Sequence, residues 1–348
     1  MRIAQVAPLM EAVPPKLYGG TERIVAYLTD ELVAMGHDVT LFASGDSVTT
    51  ATKAAGCSRA LRLDPTIRDH VAPLVAMLEG VAQRAPDFDL IHLHCDYLGY
   101  PVLRRAGTPF LATLHGRLDL PELSLIYRAF SDVPVVSISD SQRLPLIEPR
   151  YVATIHHGIP EHLLELDSGA GGYLAFLGRI SPEKAPDRAI RIAARAGLPL
   201  KIAAKVDAVD RVYFADQIEP LLAQPHVEYI GEIGEHEKSE FLGNALALLF
   251  PINWREPFGL AMIEAMACGT PVIAWRNGSV CEVIDEGVSG FIVDSEEAAA
   301  AAARQAHLLH RACVRQAFER RFTARRMAED YVGVYHQLAD RQLSLAAE

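Results

Sequence analysis

Short apolar runs alternate with amphipathic stretches along this chain, and the alternation starts afresh near its middle. That pattern restricts the fold to α/β with mostly parallel sheets. Residues 2–7 read as a buried strand, followed by a loop holding Pro14, Pro15, Gly19 and Gly20. Thr21 stands as the cap of a helix over 22–35, with Ile24, Leu28 and Leu32 on one face, and 38–43 form the next strand. This is the opening of a doubly wound sheet, but no GxGxxG follows the first strand, which argues against an ordinary dinucleotide-dependent dehydrogenase. A helix over 73–84 and strands over 89–96, 108–116, 134–142 and 151–160 continue the alternation. The small and acidic run 161–172 reads as a linker. Strands are then expected over 173–179, 200–204, 226–234, 247–250, 271–275 and 289–294. The helices between them fall over 186–196, 209–222, 235–244 and from about 260, and the chain is mostly helical from 298. The expectation is two Rossmann-like doubly wound domains, 1–163 and 164–322.

A length of 348 residues, half of them apolar, suits two domains with substantial cores. The net charge of −11 argues against a general nucleic-acid-binding role. Five cysteines without a CxxC pair favour neither a disulfide framework nor a thiolate metal site. The N-terminal apolar run is too short for a signal peptide, and no stretch approaches a membrane span. The reading is a cytoplasmic protein with no membrane span, which leaves room for a peripheral membrane contact.

The most informative stretch is REPFGLAMIEAMACGT, 255–270. Pro257 and Gly259 delay the helix to about Leu260, and Gly269 closes it. Phe258, Gly259 and Leu260 would offer backbone N–H groups at a helix N-terminus, a seat for phosphate. Glu256 lies before this seat and Glu264 after it. One acid on each side of an anion seat suggests a ligand with hydroxyls flanking a phosphate, as in a nucleotide sugar. At strand ends, where open α/β sheets bind ligands, His115 is the residue to weigh. His92 and His94 have HxH spacing but no visible third ligand, so packing or an indirect role is favoured over a metal. Ser137 and Ser139 suit either capping or phosphate contact.

The string EPFGLAMIEAMACGTPVIA resembles the Glu-x7-Glu signature of retaining glycosyltransferases of family 4. FLGRISPEKAP, 176–186, resembles that family's Gly-Arg-x-x-x-x-Lys-Gly segment, with Ala185 where the last glycine usually stands. Gly19-Gly20 resembles its glycine-rich loop. His156-His157-Gly158-Ile159 departs from the family's Asn-Gly-Val or Asn-Gly-Ile, so no role is carried onto His157.

The resemblance implies a GT-B fold, two Rossmann-like domains facing a central cleft. The first would bind the acceptor and the second the donor, with the last helix, 323–348, packing back on the first. It implies transfer of a hexose from a UDP- or GDP-linked sugar to a sugar, lipid or small-molecule acceptor, with no cofactor and no metal. Arg179 and Lys184 would neutralise the diphosphate, helped by Gly20, Gly178 and the Phe258, Gly259 and Leu260 backbone. Glu256 would hold sugar hydroxyls, Glu264 the ribose and Ile233 the base, and His115 would contact the sugar or position the acceptor. Two other readings stay open: an epimerase of the same fold, and a nucleotide-sugar-binding protein without activity.

Overall fold

The structure, a computed structural model, describes residues 1–17 and 19–347; Tyr18 of the glycine-rich loop and residue 348 of the expected last helix lie outside these. The chain divides into two compact units, Met1–Pro160 together with the segment from Ala324, and Glu161–Thr323.

The first unit is built on a seven-stranded sheet in the order β3-β2-β1-β4-β5-β6-β7. The strands are β1 Arg2–Val6, β2 Asp38–Ser44, β3 Thr52–Cys57, β4 Leu90–Leu93, β5 Phe110–Leu114, β6 Pro134–Ser137 and β7 Arg150–Thr154. All neighbours pair in parallel, so both faces are covered and the central strands are largely apolar, with Gln5, His92 and Thr113 as buried polar exceptions. Ile3, Ala4, Leu90, Ile91 and Leu93 are accordingly buried. Strand β3 was not anticipated: TKAAGC is short of β-branched residues and lies half exposed at the sheet edge. Thr21 does not cap the first helix, which runs Gly20–Ala34 with Gly19 as its N-cap at φ 152°. A Cβ on Gly19 would stand 2.8 Å from the Pro15 side chain, so the entry to this helix depends on glycine there. His94, expected inside a strand, lies just past the end of β4. The helix Ala324–Ala347 belongs to this unit, sending the Tyr331 and Tyr335 side chains into its interior.

The second unit carries a six-stranded sheet in the order β10-β9-β8-β11-β12-β13. Its strands are β8 Leu174–Arg179, β9 Leu200–Lys205, β10 Val227–Gly231, β11 Ala247–Phe250, β12 Val272–Trp275 and β13 Gly290–Val293, again parallel throughout. The single helix expected over 209–222 is broken into Arg211–Tyr213, a π-helical turn Phe214–Ile218, and Glu219–Leu222. Pro220 has no N–H to give the preceding turn, which widens instead. The run 161–172 is tied into this unit by backbone bonds from Asp167 to Cys268 and from Gly171 to Asn244.

Both sheets reverse their strand order, between β1 and β4 in the first and between β8 and β11 in the second. Loops at the carboxyl ends on either side of such a reversal splay apart and leave a crevice for ligands. No helix among the described residues is long and apolar enough to cross a membrane.

Candidate active site

In the second unit the candidate residues gather at the carboxyl edge of the sheet. Arg179 is the last residue of β8, and its Nη1 lies 3.3 Å from Asp207 Oδ2 and 3.9 Å from Asp210 Oδ2. Lys205, the last residue of β9, reaches Asp207 at 2.8 Å. Burial opposes ionisation of Asp207, but Lys205 and Arg179 outweigh it and hold the pKa below the usual carboxylate range. Burial pushes the Asp210 carboxyl up. Beside Arg179, a Cβ on Gly178 would meet nothing within 4 Å, so space is open over that backbone.

Beyond β8 the chain turns through Ser181 and Lys184 into the helix Pro186–Ala196. Lys184 Nζ donates to Glu256 Oε2 at 2.5 Å, and Trp254 Nε1 donates to the same oxygen at 2.7 Å. The ammonium also lies 5.6 Å from the ring centroids of both Phe250 and Trp254. A largely buried cation and carboxylate thus share an aromatic pocket, with 15% and 10% of their side chains exposed.

The loop carrying Glu256 is braced from behind. Ser279 N donates to the Glu256 carbonyl at 3.1 Å, and Ser279 Oγ to the Phe258 carbonyl at 2.6 Å. Gly278, at φ 58°, sits so close that a Cβ would overlap the Glu256 backbone. Phe258 buries its ring in an edge-on contact with Phe322. Gly259, at φ 85°, then opens the helix Leu260–Ala267; Met262 N donates to the Gly259 carbonyl at 3.0 Å, and the Leu260 and Ala261 N–H groups lack acceptors within their own helix. Glu264, one turn inside, accepts from Lys238 Nζ at 2.7 Å, and Lys238 also lies 3.5 Å from Glu235. Both basic and acidic partners come from the first turn of the helix Glu235–Gly243, which the Ile233 loop leads into from β10.

In the first unit, His115 follows β5 and is half-buried. Its Nε2 lies 2.9 Å from His94 Nδ1, and its ring stacks on His157 at 5.3 Å. Burial lowers its pKa to about 3 and takes those of His92, His94 and His157 well below the ordinary value. No group of three His, Cys, Asp or Glu among the described residues is arranged to hold a metal ion. Ser139 is a helix cap, accepting from Gln142 N at 2.9 Å, and Ser137 bonds Thr154 across the sheet.

With this geometry in hand, likeness to known proteins is informative. The sequence profile described as "Glycosyltransferase Family 4" matches residues 18–196, just over half of the chain. The chain belongs to glycosyltransferase family 4. The profile described as "Glycosyl transferases group 1" matches residues 168–325 of this family 4 protein. The D-inositol 3-phosphate glycosyltransferase of Thermobispora bispora is 27% identical over 273 residues, 64% of this chain and 62% of its own length. The match therefore spans less than two thirds of that relative. The phosphatidyl-myo-inositol mannosyltransferase of Mycolicibacterium smegmatis is 26% identical over 332 residues, 86% of this chain and 82% of its own. Anabaena HepE, solved in complex with UDP and glucose, superimposes with a TM-score of 0.74 at 18% identity, over 97% of this chain and 100% of that one. The fold of this chain is that of the GT-B glycosyltransferases.

Of the residues singled out from the sequence of this family 4 transferase, Lys184 and Glu256 are bonded to each other. Arg179 and Glu264 are engaged by Asp207 and Lys238. His115 and Gly20 belong to the first unit and the other nine to the second. Sequence reasoning missed Lys205, Asp207, Lys238, Trp254 and Gly278. Two carried a signal: Lys205 ends an apolar strand as Arg179 does, and Asn277-Gly278 is a turn pair one residue beyond β12.

Proposed function

We propose that this transferase moves a hexose from a UDP- or GDP-linked sugar to an acceptor hydroxyl with retention at the anomeric carbon. The observation that carries the reading is the shared pocket of Lys184 and Glu256 at the strand-order reversal of the second unit. It sets a cation for phosphate against a carboxylate for sugar hydroxyls. As the bond from the anomeric carbon to the diphosphate oxygen breaks, the electron pair stays with the diphosphate. Arg179, Lys184 and the N–H groups opening the helix Leu260–Ala267 stabilise that charge. The acceptor oxygen attacks from the face the leaving group departs, and its proton passes to a phosphate oxygen. Among the described residues both side-chain donors to the Glu256 carboxylate reach Oε2, which leaves Oε1 to accept from the sugar. Glu264, aligned by Lys238, accepts from the ribose hydroxyls, and the Ile233 loop borders the base. Gly178 and Gly20 keep backbone close to the donor, and His115 contacts the sugar or positions the acceptor. The nucleotide sugar is a co-substrate, and the reading calls for no resident cofactor.

A panel of UDP- and GDP-sugars, assayed for nucleotide release with and without a mixed set of sugar, inositol and lipid acceptors, tests this. Release that depends on an acceptor, with a product of the donor's anomeric configuration by NMR, is expected. An inverted product, or epimerised free sugar without transfer, would overturn it.

A further inference from the structure

A chain of buried polar groups runs through the first unit and ends at His115. His115 Nε2 meets His94 Nδ1 at 2.9 Å, and His94 Nε2 meets Gln5 Oε1 at 2.7 Å. Gln5 Nε2 donates to Tyr335 Oη at 3.1 Å, Tyr335 Oη meets His92 Nδ1 at 2.8 Å, and His92 Nε2 meets Thr113 Oγ1 at 2.7 Å. Thr113 Oγ1 in turn meets Tyr331 Oη at 2.8 Å. Gln5, His92, His94, Thr113, Tyr331 and Tyr335 are all almost wholly buried, which is costly unless every donor finds an acceptor.

With the Gln5 amide oriented as it is, that requirement fixes the protons. The Gln5 carbonyl oxygen can only accept, so His94 carries its proton on Nε2. His94 is neutral in this burial, so its Nδ1 is a lone pair, and His115 must supply the hydrogen from Nε2. His115 is neutral as well, which leaves Nδ1 as an acceptor. On the far side, Tyr335 accepts from Gln5 and donates to His92 Nδ1, and His92 donates from Nε2 to Thr113. Every link is satisfied in one direction. Turning the Gln5 amide over would reverse all of them together, so Gln5 is the residue that sets the sense of the chain. His115 Nδ1 itself is buried and has no hydrogen-bond partner among the described residues.

We propose that Gln5 and His94 are positioning residues that hold His115 in the Nε2–H form, so that its Nδ1 presents a fixed hydrogen-bond acceptor to the ligand. The group facing His115 then has to bring its own hydrogen. A hydroxyl satisfies Nδ1, whereas an ether oxygen or a carboxylate sets lone pair against lone pair. The proton arrangement is independent of the reaction, and its bearing on turnover rests on the transferase reading above.

Long-range 1H–15N NMR of the full chain, with 15N-labelled histidine, reads the tautomer of each ring directly. The expected result in the wild type at neutral pH is His94 and His115 both protonated on Nε2 and unprotonated on Nδ1. His115 protonated on Nδ1, or a mixture of forms, would overturn the proposal. Gln5→Leu removes the residue that sets the sense, and Tyr335→Phe removes its anchor. Each is expected to give mixed tautomers at His94 and His115. An unchanged tautomer in either folded variant would also overturn it, and the wild-type spectrum decides the matter if neither folds. With an active donor in hand, the variants should lose about tenfold in turnover, the scale of one misdirected hydrogen bond. Their affinities for free UDP and GDP should stay unchanged. Failure to find any transfer would sink the transferase reading while leaving the tautomer result standing.

Discussion

Lys184 and Glu256 neutralise each other across 2.5 Å, although one is the candidate for phosphate and the other for sugar. On the proposed reading, a diphosphate drawing on Lys184 would loosen its hold on Glu256 at the moment the carboxylate is needed. Lys184→Met should lower turnover by roughly 10²-fold or more, the scale of losing one transition-state stabiliser. It should also cost stability, because it leaves a largely buried carboxylate without its counter-charge. Adding Glu256→Gln should restore much of that stability and none of the activity. Chemical unfolding of the two single variants and the double variant checks this; additive stability losses would show the pair is uncoupled.

The two carboxylates should separate by ligand. Glu256→Gln is expected to bind free nucleoside diphosphate about as well as wild type and to transfer sugar poorly. Glu264→Gln is expected to weaken free nucleotide itself. Calorimetry with UDP and GDP on both variants decides between these roles, and equal nucleotide affinities in the two would remove Glu264 from the ribose.

Gly278 is the position from which the Glu256 loop is braced, and no side chain fits there. Gly278→Ala should push Glu256 out of place and cut turnover with little change in affinity for free nucleotide. Wild-type turnover in that variant would mean the loop yields freely.

Ala185 holds a left-handed conformation, φ 50° and ψ 56°, at the start of the helix Pro186–Ala196. An L-residue pays roughly 1–2 kcal/mol there, against about 0.5–1 kcal/mol for the extra chain freedom of glycine. Ala185→Gly should be neutral to stabilising by up to about 1 kcal/mol, measured by urea unfolding. A clear loss of stability would contradict the assigned conformation.

His92, His94 and His157 are buried and neutral, with pKa values depressed by burial and, secondarily, by their neighbours' charges. The unfolded chain binds protons at these rings from about pH 6.5 downward and the folded chain does not, so their contribution to stability is present above that pH and lost below it. Stability should therefore fall between pH 7.5 and 5.5, with all three rings contributing to the loss. Asp96, pushed up to about 6, takes up a proton in the folded state over part of this range and offsets some of the loss. Urea unfolding at the two pH values should show the drop, and a flat profile would mean the rings are already charged in the fold.

Most of the architecture was legible because buried parallel strands write themselves as unbroken apolar runs. The helix Pro186–Ala196 and the strand Ala247–Phe250 fall where the pattern put them. Strand β3 was hidden because an edge strand needs no apolar face, and the π-turn because widening a helix leaves no change of composition. In the site, motif residues were visible because their spacing is local. Their partners were not, because Asp207 and Lys238 owe their positions to the end of another strand and to a neighbouring helix, while Trp254, two residues before Glu256, carries no spacing signal of its own. The chain from His115 to Tyr331 joins residues that are 216 apart in number, and no period in the sequence reports that.

The first unit takes its last helix from sequence that follows the whole of the second. During synthesis the second unit, being continuous, has all its residues before the first does. Until the segment carrying Tyr331 and Tyr335 emerges, His92, Thr113 and Gln5 have lost the hydroxyls that complete them, and the apolar groove for that helix stands open. The N-terminal unit, which usually folds first, is here the one that finishes last.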